Sequence, residues 1–123
     1  MRFEFAPDIT ERLNHMMKIL NYEHLDNTRI ICMRSYGSKS RALARIWGLS
    51  KAWQKALNVK PYYIIEVIYP KFDKLDGKEQ DKTLLHEILH IPKKFSGGLV
   101  PHKCFGKRID HKSIEKLYKE YFK

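Results

Sequence analysis

Cysteine is scarce in this chain, and what there is does not pair by motif. Cys32 and Cys104 are isolated and form no C-x-x-C unit, which excludes a structural zinc ribbon and leads us to expect reduced, semi-buried thiols in a cytoplasmic protein. Long apolar runs are missing as well. No stretch approaches the roughly 20 residues that span a bilayer, so no membrane segment is expected. The opening residues Met1-Arg2-Phe3-Glu4-Phe5 lack an apolar h-region, and no secretory signal is expected.

Acidic residues are outnumbered, 14 Asp and Glu against 24 Lys and Arg, for a formal charge of +10. An excess of that size favours anionic partners, nucleic acid first. The lysines are nevertheless scattered, as on many solvated surfaces. With 43% hydrophobic and 12% aromatic residues the chain is not a disordered one. Its 123 residues suit one domain, 1–123, with a core of its own.

Taken in order, residues 1–6 read as a short edge strand, and Pro7 suits the first turn of a helix. Ile9, Leu13, Met16, Met17 and Leu20 then form an amphipathic stripe. Asn21 to Asn27 is a polar connector. Thr28–Ser35 reads as a strand, Tyr36–Ser40 as a turn and Arg41–Leu49 as a second strand, which together predict a hairpin. Ser50 suits the cap of a short helix through Trp53 and Leu57, ending at Asn58. Arg41, Arg45 and Trp53 read as ordinary amphipathic edges, with a nucleic-acid surface as the alternative.

The β-branched and aromatic stretch Pro61–Pro70 is the strongest strand. It precedes the metal helix described next, and its free edge is expected to meet a substrate backbone. Glu66 interrupts its apolar run, aimed at solvent or into the cleft.

The most informative stretch is Thr83-Leu84-Leu85-His86-Glu87-Ile88-Leu89-His90-Ile91-Pro92, with His-Glu-x-x-His inside it. Asp76, three residues before Glu79, has capping-box spacing and starts this helix near Gly77. Pro92 is expected to stop it at Ile91. Four residues apart, His86 and His90 share one helical face. Two neutral imidazoles so placed suit one Zn2+, and Glu87 beside them can take a proton from a water on the metal, the arrangement of a metalloprotease. The bland alternative is a solvated face. Leu84, Leu85, Ile88, Leu89 and Ile91 oppose it, because they make the helix mostly buried, and buried His and Glu need partners.

Catalytic zinc sites usually take three protein ligands. Downstream, Ser96-Gly97-Gly98 permits a sharp turn and Pro101 rigidifies the backbone before His102. His102 is the expected third ligand, with His111, Asp110, Glu115 and Glu120 as competitors. No oxyanion-stabilising group emerges from spacing; a tyrosine, Lys103 and Arg108 are the candidates. After the loop, Asp110 suits the cap of a last helix with Ile114, Leu117, Tyr118 and Tyr121 as its buried stripe.

The block His86-Glu87-Ile88-Leu89-His90-Ile91-Pro92, Phe95-Ser96-Gly97-Gly98-Leu99 and Pro101-His102 resembles a metallopeptidase family found in archaea and their viruses. Ala42-Leu43-Ala44-Arg45-Ile46, Trp53-Gln54 and Ile64-Ile65-Glu66-Val67 resemble it too, so the likeness covers roughly 1–123. That family is similar to the SprT-like zincins, which use three histidines as ligands. The resemblance implies a compact α+β zincin-like domain, a small mixed sheet packed on a catalytic helix with flanking N- and C-terminal helices. The chain departs from the SprT-like pattern where Lys103-Cys104-Phe105 follows His102 in place of Gly-x-x-Phe. It has neither a Met-turn nor a His-x-x-Gly-x-x-His continuation, which speaks against the metzincin branch.

The expected function is a zinc-dependent metallopeptidase, with Zn2+ on His86, His90 and His102 and Glu87 as general base, acting on protein or peptide. One alternative is an SprT-like protease acting on DNA-bound proteins. The other is a non-catalytic, metal-stabilised or nucleic-acid-binding module, against which Glu87 argues, since a structural site needs no base.

Overall fold

The computed structural model describes residues 1–104 and 107–122, with backbone alone for 103, 104, 107 and 108. Its architecture is α+β, a mixed sheet of four strands with four helices. Strand β1 (Arg2–Phe5) leads through Ala6 into α1 (Pro7–Leu20), with Pro7 in the first turn. The stripe Ile9, Leu13, Met16, Met17 and Leu20 is buried as its spacing requires, and Asn21 ends the helix in the left-handed region at φ 55°. Strand β2 (Ile30–Tyr36), β3 (Ala44–Gly48), α2 (Lys51–Leu57) and β4 (Tyr63–Ile68) follow. Ser50 caps α2 through Trp53 N–H, and Asn58 closes it.

The expected hairpin between the second and third strands does not form. The sheet runs β1-β2-β4-β3, so β4 lies between them, parallel to β2 and antiparallel to β3. The reason is burial. Tyr63, Ile65, Glu66, Val67 and Ile68 are all essentially inaccessible, and a strand apolar on both faces belongs in the middle of a sheet. With β4 taking that place, β3 becomes an edge. The expectation that the 61–70 strand offers a free edge is therefore corrected: that edge belongs to β3.

Register determines which groups of β3 face outward. Leu49 N–H donates to the Tyr62 carbonyl and Ile68 N–H to the Leu43 carbonyl, both at 3.0 Å. Odd-numbered residues of β3 thus bond to β4, and alternation aims the backbone groups of Ala44 and Ile46 at the open edge.

One face of the sheet, with Ile30, Cys32, Ile65, Val67 and Tyr63, packs on the α1 stripe and on Leu84, Leu85 and Ile88 of α3 (Gly77–Ile88). Each such side chain contributes about 1.5–3 kcal/mol on burial. Arg12 of α1 ties the two helices together, its Nε donating to Asp81 at 2.8 Å and its Nη2 to the Gly77 carbonyl at 2.6 Å. The opposite face carries Phe3, Phe5, Arg45, Glu66 and Trp47. Glu66 points neither to solvent nor into the cleft. It is buried on this second face, accepting from Arg45 Nε at 2.9 Å and Trp47 Nε1 at 2.8 Å. Burial pushes its carboxyl up, but these bonds outweigh burial and hold it below the ordinary value.

Asp76 caps α3 as expected, accepting from Glu79 N–H at 2.9 Å. The helix ends at Ile88, three residues short of the expected Ile91. Its last turn tightens, with His90 N–H donating to the Glu87 carbonyl and Ile91 N–H to that of Ile88, both 3.1 Å. Pro92 therefore ends a chain that has already left the helix. A two-stranded ribbon, β5 (Lys103–Cys104) and β6 (Lys107–Arg108), leads to α4 (His111–Tyr121), with Asp110 and Ser113 in a reciprocal capping box. Ile114 is buried, while Leu117, Tyr118 and Tyr121 of the expected stripe are only partly covered or exposed. Cys32 is buried and its thiol pushed up to about 11, mainly by that burial; the Cys104 side chain lies outside the described residues. Among the described residues no helix is long and apolar enough to cross a membrane.

Candidate metal centre

Helix α3 presents His86 and Glu87 on consecutive positions, and the tightened turn after it presents His90. The loop that follows returns the chain to this point. Val100 N–H donates to the His90 carbonyl at 2.7 Å, and His90 Nδ1–H donates to the Val100 carbonyl. A carbonyl only accepts, so this bond puts the proton of neutral His90 on Nδ1 and leaves the Nε2 lone pair facing inward.

Three Nε2 atoms converge there. His86 and His102 are 3.2 Å apart, and His86 and His90 3.3 Å. The ligand atoms of all three lie within 4.8 Å of one another, a group that could hold a metal ion. Zinc–nitrogen bonds of 2.0–2.1 Å at tetrahedral angles require nitrogen separations of about 3.3 Å. The two separations from His86 match that value, as shared coordination of one small cation requires.

Electrostatics point the same way. Burial, then the neighbouring imidazoles, pushes His86 down to about 4. Burial also lowers His90, partly opposed by the Val100 carbonyl. Both rings are thus neutral and ligand-competent near pH 7. Glu87 is 6% exposed, and its Oε2 has no partner among the described residues. Burial alone pushes its carboxyl up to about 7. A buried carboxylate oxygen left unbonded is costly unless something else binds there, and a nearby cation with its water is a chemically suited occupant.

The three histidines and Glu87 open onto a cleft of about 670 Å³. Residues 42–46, the edge strand and its approach, form one wall, and α3 with the start of α4 forms the other. Of the competitors for third ligand, His111 lines this cleft but stands outside the histidine cluster. Asp110 caps α4, Glu115 pairs with Lys82, and Glu120 is exposed. Of the oxyanion candidates, the Lys103 and Arg108 side chains lie outside the described residues.

Sequence reasoning missed the groups that hold the third histidine's loop. Tyr63 is fully buried, and its hydroxyl accepts from Gly97 N–H at 2.9 Å while donating to the Gly98 carbonyl at 2.7 Å. Gln54 Nε2 bridges the Leu49 carbonyl at 2.7 Å and the Ser96 carbonyl at 2.9 Å. Gly97 sits at φ 92°, where an added Cβ would lie 2.2 Å from the Leu49 carbonyl oxygen. Gly48 is equally constrained: its Cβ would lie 2.0 Å from the Gly97 oxygen. The loop is thus pressed directly against the end of β3. A tyrosine within a β-branched strand reads as packing, and nothing local marks it as a loop anchor.

Comparison with known proteins agrees with this geometry. No curated protein and no solved structure matches the chain significantly. A family model does match, over residues 1–121. That span is nearly the whole chain, and it contains the histidine cluster, Glu87 and the loop anchors, so the chain belongs to the family described as "Putative phage metallopeptidase".

Proposed function

We propose that the chain is a zinc-dependent peptidase in which His86, His90 and His102 hold the metal and Glu87 is the general base. What carries the reading is the convergence of three imidazole nitrogens at ligand spacing beside a buried carboxylate with an unbonded oxygen. A purely structural site has no use for that oxygen, and family membership points to a metal-dependent peptidase. Zinc is favoured among divalent ions because three neutral imidazoles with room for a fourth ligand are its usual catalytic set.

Bound there, the ion supplies Lewis acidity, acidifying a water molecule and polarising a carbonyl. The chain's own residues do the rest. The backbone groups of Ala44 and Ile46 pair with an extended peptide along the open edge of β3, whose residues also wall the cleft. Glu87 takes a proton from the attacking water, whose oxygen bonds to the scissile carbonyl carbon. The carboxyl then gives that proton to the amide nitrogen as the C–N bond breaks, leaving an amine and a carboxylic acid that loses its remaining proton to solvent. Burial raises the Glu87 carboxyl to about 7 in the metal-free chain, and a cation held beside it would oppose that rise and keep the carboxylate available as a base.

The test is elemental analysis of the purified protein, followed by casein cleavage with and without a chelator. The reading expects one zinc per chain and cleavage that stops on chelation and returns with zinc. Metal-free protein that cleaves at full rate would overturn it.

A further inference from the structure

Between Asp26 and Glu66 the chain contains no acidic residue, yet it carries Arg29, Arg34, Lys39, Arg41, Arg45, Lys51, Lys55 and Lys60. Three of these cations are neutralised: Arg29 pairs with Asp26, Arg34 with Asp8 and Asp73, and Arg45 with Glu66. The other five are exposed, and none makes an ion pair with a described residue. They flank the edge strand, Lys39 and Arg41 before it and Lys51, Lys55 and Lys60 after it.

The chain's two tryptophans lie in the same stretch. Trp47 is 48% exposed and Trp53 60%, although tryptophan is among the residues most covered on average. Helix α2, which carries Trp53, buries no residue, so packing among the described residues does not account for its indole. Trp47 is held in place by its Nε1 bond to Glu66 and by the Arg45 guanidinium 5.1 Å from its ring centre. That same arginine cancels the Glu66 charge, so this carboxylate does not repel an anion beside Trp47.

We propose that the surface around β3 and α2 binds single-stranded nucleic acid. Lys39, Arg41, Lys51, Lys55 and Lys60 hold phosphates, and Trp47 and Trp53 stack bases. Charge complementarity selects a polyanion. Two exposed indoles select one with unpaired aromatic faces, which a single strand has and a duplex or an acidic polypeptide lacks. Because residues 42–46 also wall the cleft, a strand held here lies beside the proposed peptidase site. The inference does not depend on the metal or on hydrolysis.

Tryptophan emission reads the proposed contact directly, since the chain's two indoles are the two proposed to stack bases. The full chain is titrated with oligothymidylate at several salt concentrations. Emission should be quenched to saturation, and five phosphate contacts should weaken affinity by about a hundredfold between about 50 and 200 mM salt. The double variant Lys51→Glu/Lys55→Glu should lose most of the affinity and flatten the salt slope. Trp53→Ala should weaken binding by about tenfold and keep the slope. Absence of binding overturns the proposal. So does equal affinity for duplex DNA, which would mean phosphate contact without stacking, and so does equal quenching by polyglutamate, which would make this a surface for acidic proteins.

Discussion

His90 and Val100 bind each other twice, main chain to main chain at 2.7 Å and imidazole to carbonyl. The pair joins the end of the helix to the loop that carries His102, so two of the proposed ligands, with eleven residues between them, belong to one hydrogen-bonded unit. His102 enters that unit from the exposed side, so its proposed metal role is separable from any role in folding.

Replacing it should therefore be selective. His102→Ala is expected to weaken zinc binding at least about a hundredfold and to leave the unfolding midpoint of the metal-free protein within about 0.5 kcal/mol of wild type. Chelator competition and denaturant titration measure the two. If His111→Ala loses the metal and His102→Ala keeps it, the third ligand is reassigned.

Glu87 has no ligand role in the reading above. Glu87→Gln preserves shape and should retain one zinc while hydrolysis falls by roughly 10²–10⁴. Undiminished cleavage by metal-loaded Glu87→Gln would falsify the role of base.

Tyr63 would act on a bound metal only through the loop it holds. Tyr63→Phe keeps the ring and removes both bonds to the Gly97 N–H and Gly98 carbonyl. We expect about 1–3 kcal/mol of lost stability and, separately, a zinc affinity lowered about tenfold, as for other groups that orient a ligand from behind. In the cobalt-substituted protein the visible spectrum should shift as the His102 contact loosens. Lost stability with an unchanged spectrum and affinity would make Tyr63 a packing residue only.

Acid should destabilise the metal-free protein in a defined window. Hydrogen bonding to Arg34 lowers Asp8 from 3.8, hydrogen bonds from Thr28 and Arg29 lower Asp26 from 3.8 to about 2, and Glu66 lies below 4.5. The folded state binds fewer protons at each, so the stability they contribute is present above the unfolded values and drains as pH falls from about 4.5 toward 2. Between pH 7 and 4.5 three histidines work against one carboxyl. Neutral His86, His90 and His24 lose stability as pH falls, and raised Glu87 gains it. Denaturant midpoints measured against pH should fall most steeply on the acid limb, and Arg34→Met should flatten that limb.

Much of the site could be read from local pattern. The cap at Asp76, the shared face of His86 and His90, the α1 stripe and the Ser50–Asn58 helix each depend on residues within a turn or two of one another, and periodicity and capping chemistry express them directly. Helix α3 stops three residues before the expected Ile91 for a related reason: Pro92 marks where a helix must have ended, and not where its last turn tightens.

The pairing of strands was a different matter. The chain alone determined which segments are strands and that a histidine could return to the helix after Ser96-Gly97-Gly98. Only the tertiary structure decided that β4 separates β2 from β3, which turns β3 into the open edge, and that Tyr63 and Gln54 hold the returning loop. Alternation along a strand tells which faces are apolar but carries no label for the neighbour, and a hydroxyl's partner thirty-odd residues away is chosen by packing.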